Sequence, residues 1–180
     1  MKLSLKSFTA VSALSALVIA PILLSSGAAS AQPVNQTKGF KDNYIGAGFA
    51  AGVTNGGQTG DAANLGINIQ GRVAVPKTPV SVRGAVLYGN ETTAIIPSVS
   101  VDVPIAKNTN VYGGVGYSFV EKNGAPTPLG NKDAVVLTAG AETKVAKDFV
   151  LYGDTKLGVN AYQNSPASAV SFQGGLGYRF

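Results

Sequence analysis

The side chains able to do chemistry in this 180-residue sequence are nine Asp and Glu, fourteen Lys and Arg, seven Tyr and the Ser and Thr hydroxyls, because His and Cys are absent. That removes disulfides, thiol nucleophiles, imidazole bases and zinc sites, and leaves acid–base work to carboxylates, Lys and Tyr. A hydrolase would have to set Ser or Thr beside Lys or a carboxylate, yet neither a Ser-x-x-Lys nor a Gly-x-Ser-x-Gly spacing occurs. Gly113-Gly114-Val115-Gly116 and Gly174-Gly175-Leu176-Gly177 look like phosphate loops, but no helix is predicted after either to supply an N-terminus. Asn90-Glu91-Thr92 fits the glycosylation pattern without further support. The expectation is a protein with no enzyme activity, no cofactor, no metal and no catalytic residue.

The charges that remain sit singly within alternating segments. At 45% hydrophobic and 13% charged residues with 23 Gly, no collagen-like period and abundant Val, Ile and Leu, the composition describes a folded Gly-rich chain. From Asp42 onward it divides into eight stretches of roughly 9–13 residues with period two and no 3.6-residue stripe. Ile45, Ala47, Phe49, Ala51 and Val53 share one face against Tyr44, Gly46, Gly48, Ala50 and Gly52. Similar alternation runs over Leu65–Val75, Val80–Tyr88, Ile96–Ile105, Val111–Phe119, Leu137–Val145, Phe149–Ala161 and Val170–Phe180. Short connections (Pro76 to Pro79, Ala106 to Thr109, Ala146 to Asp148) alternate with the long Thr54 to Asn64 and Glu121 to Asp133, as in a meander of hairpins. Pro97 donates no ladder hydrogen bond, so a bulge or a loop-proximal position is expected there.

Ahead of this region, Lys2 and Lys6, an apolar run from Phe8 to Leu24 and the small-residue site Ala29-Ser30-Ala31 before Gln32 read as a cleaved signal peptide over 1–31. Residues 32–41 read as a linker and 42–180 as the folded domain. Loss of Lys2 and Lys6 lowers the formal charge from +5 to +3, too little and too scattered for a nucleic-acid partner.

Which face points inward decides the class. One face of all eight segments is uncharged and rich in Val, Ile, Leu and Phe, whereas the other is Gly, Ala and Ser with a few long charged residues, a mix suited to a narrow interior. An eleven-residue strand spans roughly 36 Å at ~3.3 Å per residue, and a tilt of ~40° leaves about 28 Å, enough to cross an apolar band ~25 Å tall. Tyr44, Phe149, Tyr178 and Phe180 fall near the short turns, and Phe49, Tyr88, Tyr117, Phe119, Tyr162 and Phe172 near the loops, giving two aromatic girdles. The sequence thus predicts an all-β, eight-stranded antiparallel up-and-down transmembrane β-barrel with membrane lipids as its surroundings.

From Asp42 to Phe180 the chain resembles the small eight-stranded outer-membrane β-barrels of the OmpA/OmpX type found in Gram-negative bacteria. Phe172, Leu176, Tyr178 and Phe180, at alternating outward positions of the last strand, are similar to the signal by which that family is recognised by the barrel-assembly machinery. The resemblance implies a cell outer-membrane protein, with short turns, Lys77, Lys107, Lys147 and both termini on the periplasmic side and long loops outside. Nothing corresponds to the cell-wall-binding domain of some relatives, so peptidoglycan anchoring is not carried over, and a monomer is expected.

Inside such a barrel Arg72, Arg83, Asp102 and Glu142 lie about three residues from the short-turn end of their strands and Asp154 about five. With Lys144, Lys156 and Arg179 they are expected to form one charged layer, below a vestibule lined by Gly48, Ala50, Gly52, Gly116, Ser118 and Gly158. The layer reads as a salt-bridged plug that satisfies buried charge and fixes register, in a structural or surface protein. Two alternatives remain. One is a narrow porin for ions or small solutes, weakly anion-preferring because five inward bases face three acids; the other is adhesion or ligand binding by the long loops, which read as mobile and are nearly free of large apolar anchors.

Overall fold

The computed structural model describes residues 39–58 and 64–180. The expected signal peptide and its cleavage residues Ala29, Ala31 and Gln32 lie outside the described residues. Eight strands follow one another: β1 Tyr44–Gly52, β2 Asn64–Ala74, β3 Val80–Tyr88, β4 Thr93–Ala106, β5 Thr109–Val120, β6 Ala134–Lys144, β7 Phe149–Val159 and β8 Ala169–Arg179. Each pairs antiparallel with the next, and β8 returns to β1 to close a barrel. Closure pairs the backbone polar groups without water and removes sheet edges, which is what lets strands cross lipid.

The outward face is apolar on every strand, with Ile67, Val99, Leu137 and Leu176 all near half exposed. A contiguous exposed band of this kind far exceeds the apolar patches of water-soluble monomers. Its faces match the alternation in the sequence. At its short-turn margin Phe149 packs edge-on against Tyr178 with ring centroids 6.0 Å apart, and at its loop margin Tyr117 tilts against Phe119 at 4.9 Å. Two expected girdle members point the other way: Tyr44 is 1% and Tyr162 5% exposed, both turned into the barrel. Tyr44 sits on the inward parity of β1, and Tyr162 lies past the end of β7, where alternation no longer governs direction.

Pro97 causes no bulge. It stands opposite Gly84 in regular β3–β4 register, and on the β5 side the register of Ile95 with Phe119 resumes unchanged at Ser98 with Gly116. The missing side chain of Gly116 leaves room for the Pro97 carbonyl, which an added Cβ would strike. The register shift of β4 falls instead between Pro104 and Ala106, beside the turn.

Where β1 meets β8, Gly48 lies opposite Gly175. A Cβ on Gly48 would collide with the Gly174 carbonyl oxygen and the Gly175 Cα, both backbone atoms that cannot rotate away. Gly48→Val is therefore expected to block closure, read as loss of the fast-migrating unheated form on electrophoresis; an unheated band like that of the wild type would show that the seam has slack.

Candidate functional site

The interior is built in three tiers. In the lowest, register places Arg72 of β2 directly opposite Arg83 of β3, a like-charge pair that is destabilising by itself. Two acids from other strands resolve it. Asp102 of β4 contacts Arg72 at 2.7 Å and Arg83 at 2.8 Å, and Glu142 of β6 contacts the same two at 3.4 and 3.0 Å. Since β6 lies across the barrel from β2 in the strand order, Glu142 braces the lumen from wall to wall.

The remaining valences are filled locally. Ser81 and Ser100 donate to Asp102, and Arg72 and Arg83 each donate an Nε–H to one of these hydroxyls at 3.0 and 2.8 Å. Tyr44 donates its phenol to Glu142 at 3.0 Å, and Asn110 donates to the other Glu142 oxygen at 3.2 Å. The Arg83 guanidinium lies 3.6 Å from the ring centre of Tyr112, and Arg72 lies over Phe40 at 5.1 Å. All four charged side chains are at most 7% exposed. Burial of ions on this scale is tolerable only with pairing and hydrogen bonds this complete.

Phe40, in the expected linker, is itself packed beneath the ring. It is 6% exposed, and its carbonyl accepts a 2.8 Å hydrogen bond from Asn110. The Asp42 carbonyl accepts from Arg72 at 3.0 Å.

The middle tier centres on Lys156 and Asp154 of β7, 2.7 Å apart. Tyr112 donates to Asp154 at 2.8 Å, and Tyr152 donates to Asn68, which donates to Gln173, both at 2.6 Å. Lys156 reaches Gln70 at 3.4 Å, and Gln70 reaches Tyr44, linking this tier to the ring. The sequence placed these charges in one layer; among the described residues no ion pair joins the two groups. Tyr152 is the register neighbour of Glu142, and Asp154 stands one inward step above it, which separates the two acids.

Two members of the expected layer are elsewhere. Arg179 pairs with Asp42 at 3.3 Å at the partly exposed rim, and Lys144 is half-buried at the same end without an ion pair among the described residues. The buried ions are therefore Arg72, Arg83 and Lys156 against Asp102, Glu142 and Asp154. That balance removes the basic excess on which the weak anion preference rested.

The upper tier corrects the expected vestibule. Its space is filled, because the loop from Glu121 to Asp133 folds inward, burying Pro128 and placing Leu129 in one apolar cluster with Leu87, Ile96, Val136 and Ala161. Inward glycines make room for it: a Cβ on Gly52 would meet the Pro128 carbonyl at 2.6 Å, and one on Gly66 the Pro128 ring at 2.8 Å. Gly130, at φ +98°, turns the loop back, and Thr127 donates to its carbonyl at 2.6 Å. Asn131 then ties three loops together, donating to Gln58 at 2.8 Å and accepting from the Gln163 backbone at 2.8 Å. Tyr162 shares a hydrogen bond with Thr54 at 2.9 Å, and burial pushes its phenol up from its ordinary value. Composition concealed all this, since Leu129 is the one large aliphatic side chain in a segment from Glu121 to Asp133 otherwise made of polar residues, Gly, Ala and Pro.

No family model and no curated protein matches this chain. Solved structures do. Neisserial surface protein A aligns with a TM-score of 0.56 at 14% identity, covering 77% of this chain and 97% of its own. The attachment invasion locus protein Ail of Yersinia pestis gives 0.51 at 17%, covering 78% and 99%. The chain has the fold of the small eight-stranded outer-membrane barrels. OprG of Pseudomonas aeruginosa, at 0.52 and 10% identity with 79% and 98% covered, has the same fold. Ail has also been solved with the heparin analogue sucrose octasulfate, and that structure aligns at 0.50 and 17% identity, covering 77% and 98%.

Proposed function

We propose that this protein is a non-enzymatic outer-membrane barrel, exported by a cleaved signal peptide, whose interior is sealed and whose role is structural or surface-related. The observation that carries the sealed reading is Glu142, which reaches from β6 to arginines on β2 and β3 and so bridges the lumen from wall to wall. Pro128 and Leu129 supply a second, apolar seal at the mouth. The exposed apolar band and the shared fold support the location. Phe172, Leu176, Tyr178 and Phe180 are proposed as the contact for the assembly machinery, and the closed, edge-free sheet favours a monomer.

Single-channel recording in planar bilayers tests this. The wild type is expected to be silent, and Arg83→Ala and Glu142→Ala, which unpair the ring, each combined with Leu129→Ala, which releases the mouth, to give noisy openings. Steady wild-type channels left unchanged in both double variants would instead establish the narrow-pore alternative.

A second reading, ligand capture at the loops, has one observation in its favour. A cleft of about 620 Å³ opens between the loops, lined by Thr54, Gln58, Asn90, Glu91, Asn131 and Tyr162 among others. Among the described residues its lining holds one carboxylate and no Lys or Arg, so it suits a neutral polar ligand and not a polyanion such as the heparin analogue bound to Ail. Titration with sucrose octasulfate is expected to produce no change in loop NMR resonances.

A further inference from the structure

All three short hairpins repeat one pattern. A large exposed apolar residue at the strand end or one position past it is followed two positions later by an exposed lysine: Val75 then Lys77, Ile105 then Lys107, Val145 then Lys147. The remaining seam, between β8 and β1, has exposed Lys41 close by. The lysines thus stand at regular intervals around one rim, each just beyond the margin of the apolar band, where a four-carbon stem can lie along apolar surface while the ammonium reaches the headgroup level.

Lys77 adds an independent sign that the side chain matters. It occupies φ +62°, a conformation that Gly or Asn adopts with less strain than Lys. Charge is also unequal between the two ends. Among the described residues the turn end adds Lys41, Lys144 and Arg179 to these three lysines against Asp42 and Asp148, whereas the loop end has Lys122 and Lys132 against Glu91, Glu121 and Asp133.

We infer that this rim is a lysine collar that binds the headgroups of acidic phospholipids in the leaflet at the short-turn end. The collar holds that end of the barrel at headgroup depth, and the mildly acidic loop end has no equivalent. The inference rests on the outer-membrane reading above.

The test uses protein extracted from the outer membranes of an expressing Gram-negative host and reconstituted in phosphatidylcholine, with spin-labelled phosphatidylglycerol or spin-labelled phosphatidylcholine as probe. The wild type is expected to immobilise the phosphatidylglycerol label roughly three- to tenfold more strongly than the phosphatidylcholine label at low salt, with the preference disappearing at about 1 M salt, where the screening length is ~3 Å. The variant Lys41→Gln, Lys77→Asn, Lys107→Gln, Lys147→Gln is expected to lose most of the preference, the triple variant without Lys41→Gln the larger part of it, and Lys122→Gln with Lys132→Gln to keep it. A wild type without preference, a quadruple variant that retains it, or its loss in the loop-end variant overturns the collar. Fast unheated migration distinguishes the two failures: a folded barrel from the outer membrane with no lipid preference defeats the collar alone, whereas protein found outside that membrane defeats the location reading and the collar together.

Discussion

Glu142→Ala is expected to lower the unfolding free energy of the barrel by about 3–5 kcal/mol, the usual cost of removing one partner from a buried ionic group. The carboxylate touches Arg72, Arg83, Tyr44 and Asn110 at once, and all of these are buried. Without it, the cross-strand arginine pair shares Asp102 alone, and the Tyr44 phenol loses its acceptor. Glu142→Gln keeps the shape and one acceptor oxygen, so it should fall between the alanine variant and the wild type. Urea titration of the reconstituted barrel, followed by the unheated electrophoretic band, measures the difference. An unchanged midpoint for Glu142→Ala would mean that water replaces the carboxylate without penalty, and the ring would then not be what stabilises the lower half of the barrel.

Leu129→Ala is expected to cost about 2–5 kcal/mol at the mouth, as for a leucine removed from a packed core, while leaving the strands paired. Leu129 is 0% exposed although it belongs to a loop, and Thr127, Gly130 and Asn131 hold the loop around it. Release of the plug should free the neighbouring segment. Trypsin cleavage after Lys132 of the intact barrel is the direct readout: a weakening of ~2 kcal/mol corresponds to roughly 30-fold faster cleavage, because each 1.4 kcal/mol is a factor of ten. Lys122 is already exposed, so its cleavage should change little. Equal rates at Lys132 in wild type and variant would show that the hydrogen bonds of Asn131, and not the apolar contact, hold the loop closed.

The sequence by itself determined the strand count, the alternation of faces and the outward direction of the apolar face. Each follows from a local rule: period two assigns every residue of a strand to one face, and eight uncharged faces long enough to cross a bilayer leave little choice about which side meets lipid. The same rule placed Arg72, Arg83, Asp102, Glu142, Asp154 and Lys156 inside. It also held Tyr44, Tyr112, Tyr152, Asn68, Gln70 and Gln173 on inward positions, but gave no reason to join them to the charges.

Only the tertiary structure decided who pairs with whom. Partners across a lumen depend on the stagger between strands far apart in sequence, as with Arg83 and Glu142 at a separation of 59 residues. The stagger separated Lys156 and Asp154 from the ring and sent Arg179 to Asp42. The loop is the clearest case. A polar, Gly- and Pro-containing segment has no periodicity from which to read a direction, so nothing local distinguishes a leucine in solvent from one that seals the barrel. What distinguishes them is the space left by Gly52, Gly66 and Gly158 on three other segments, and that space exists only once the sheet has closed.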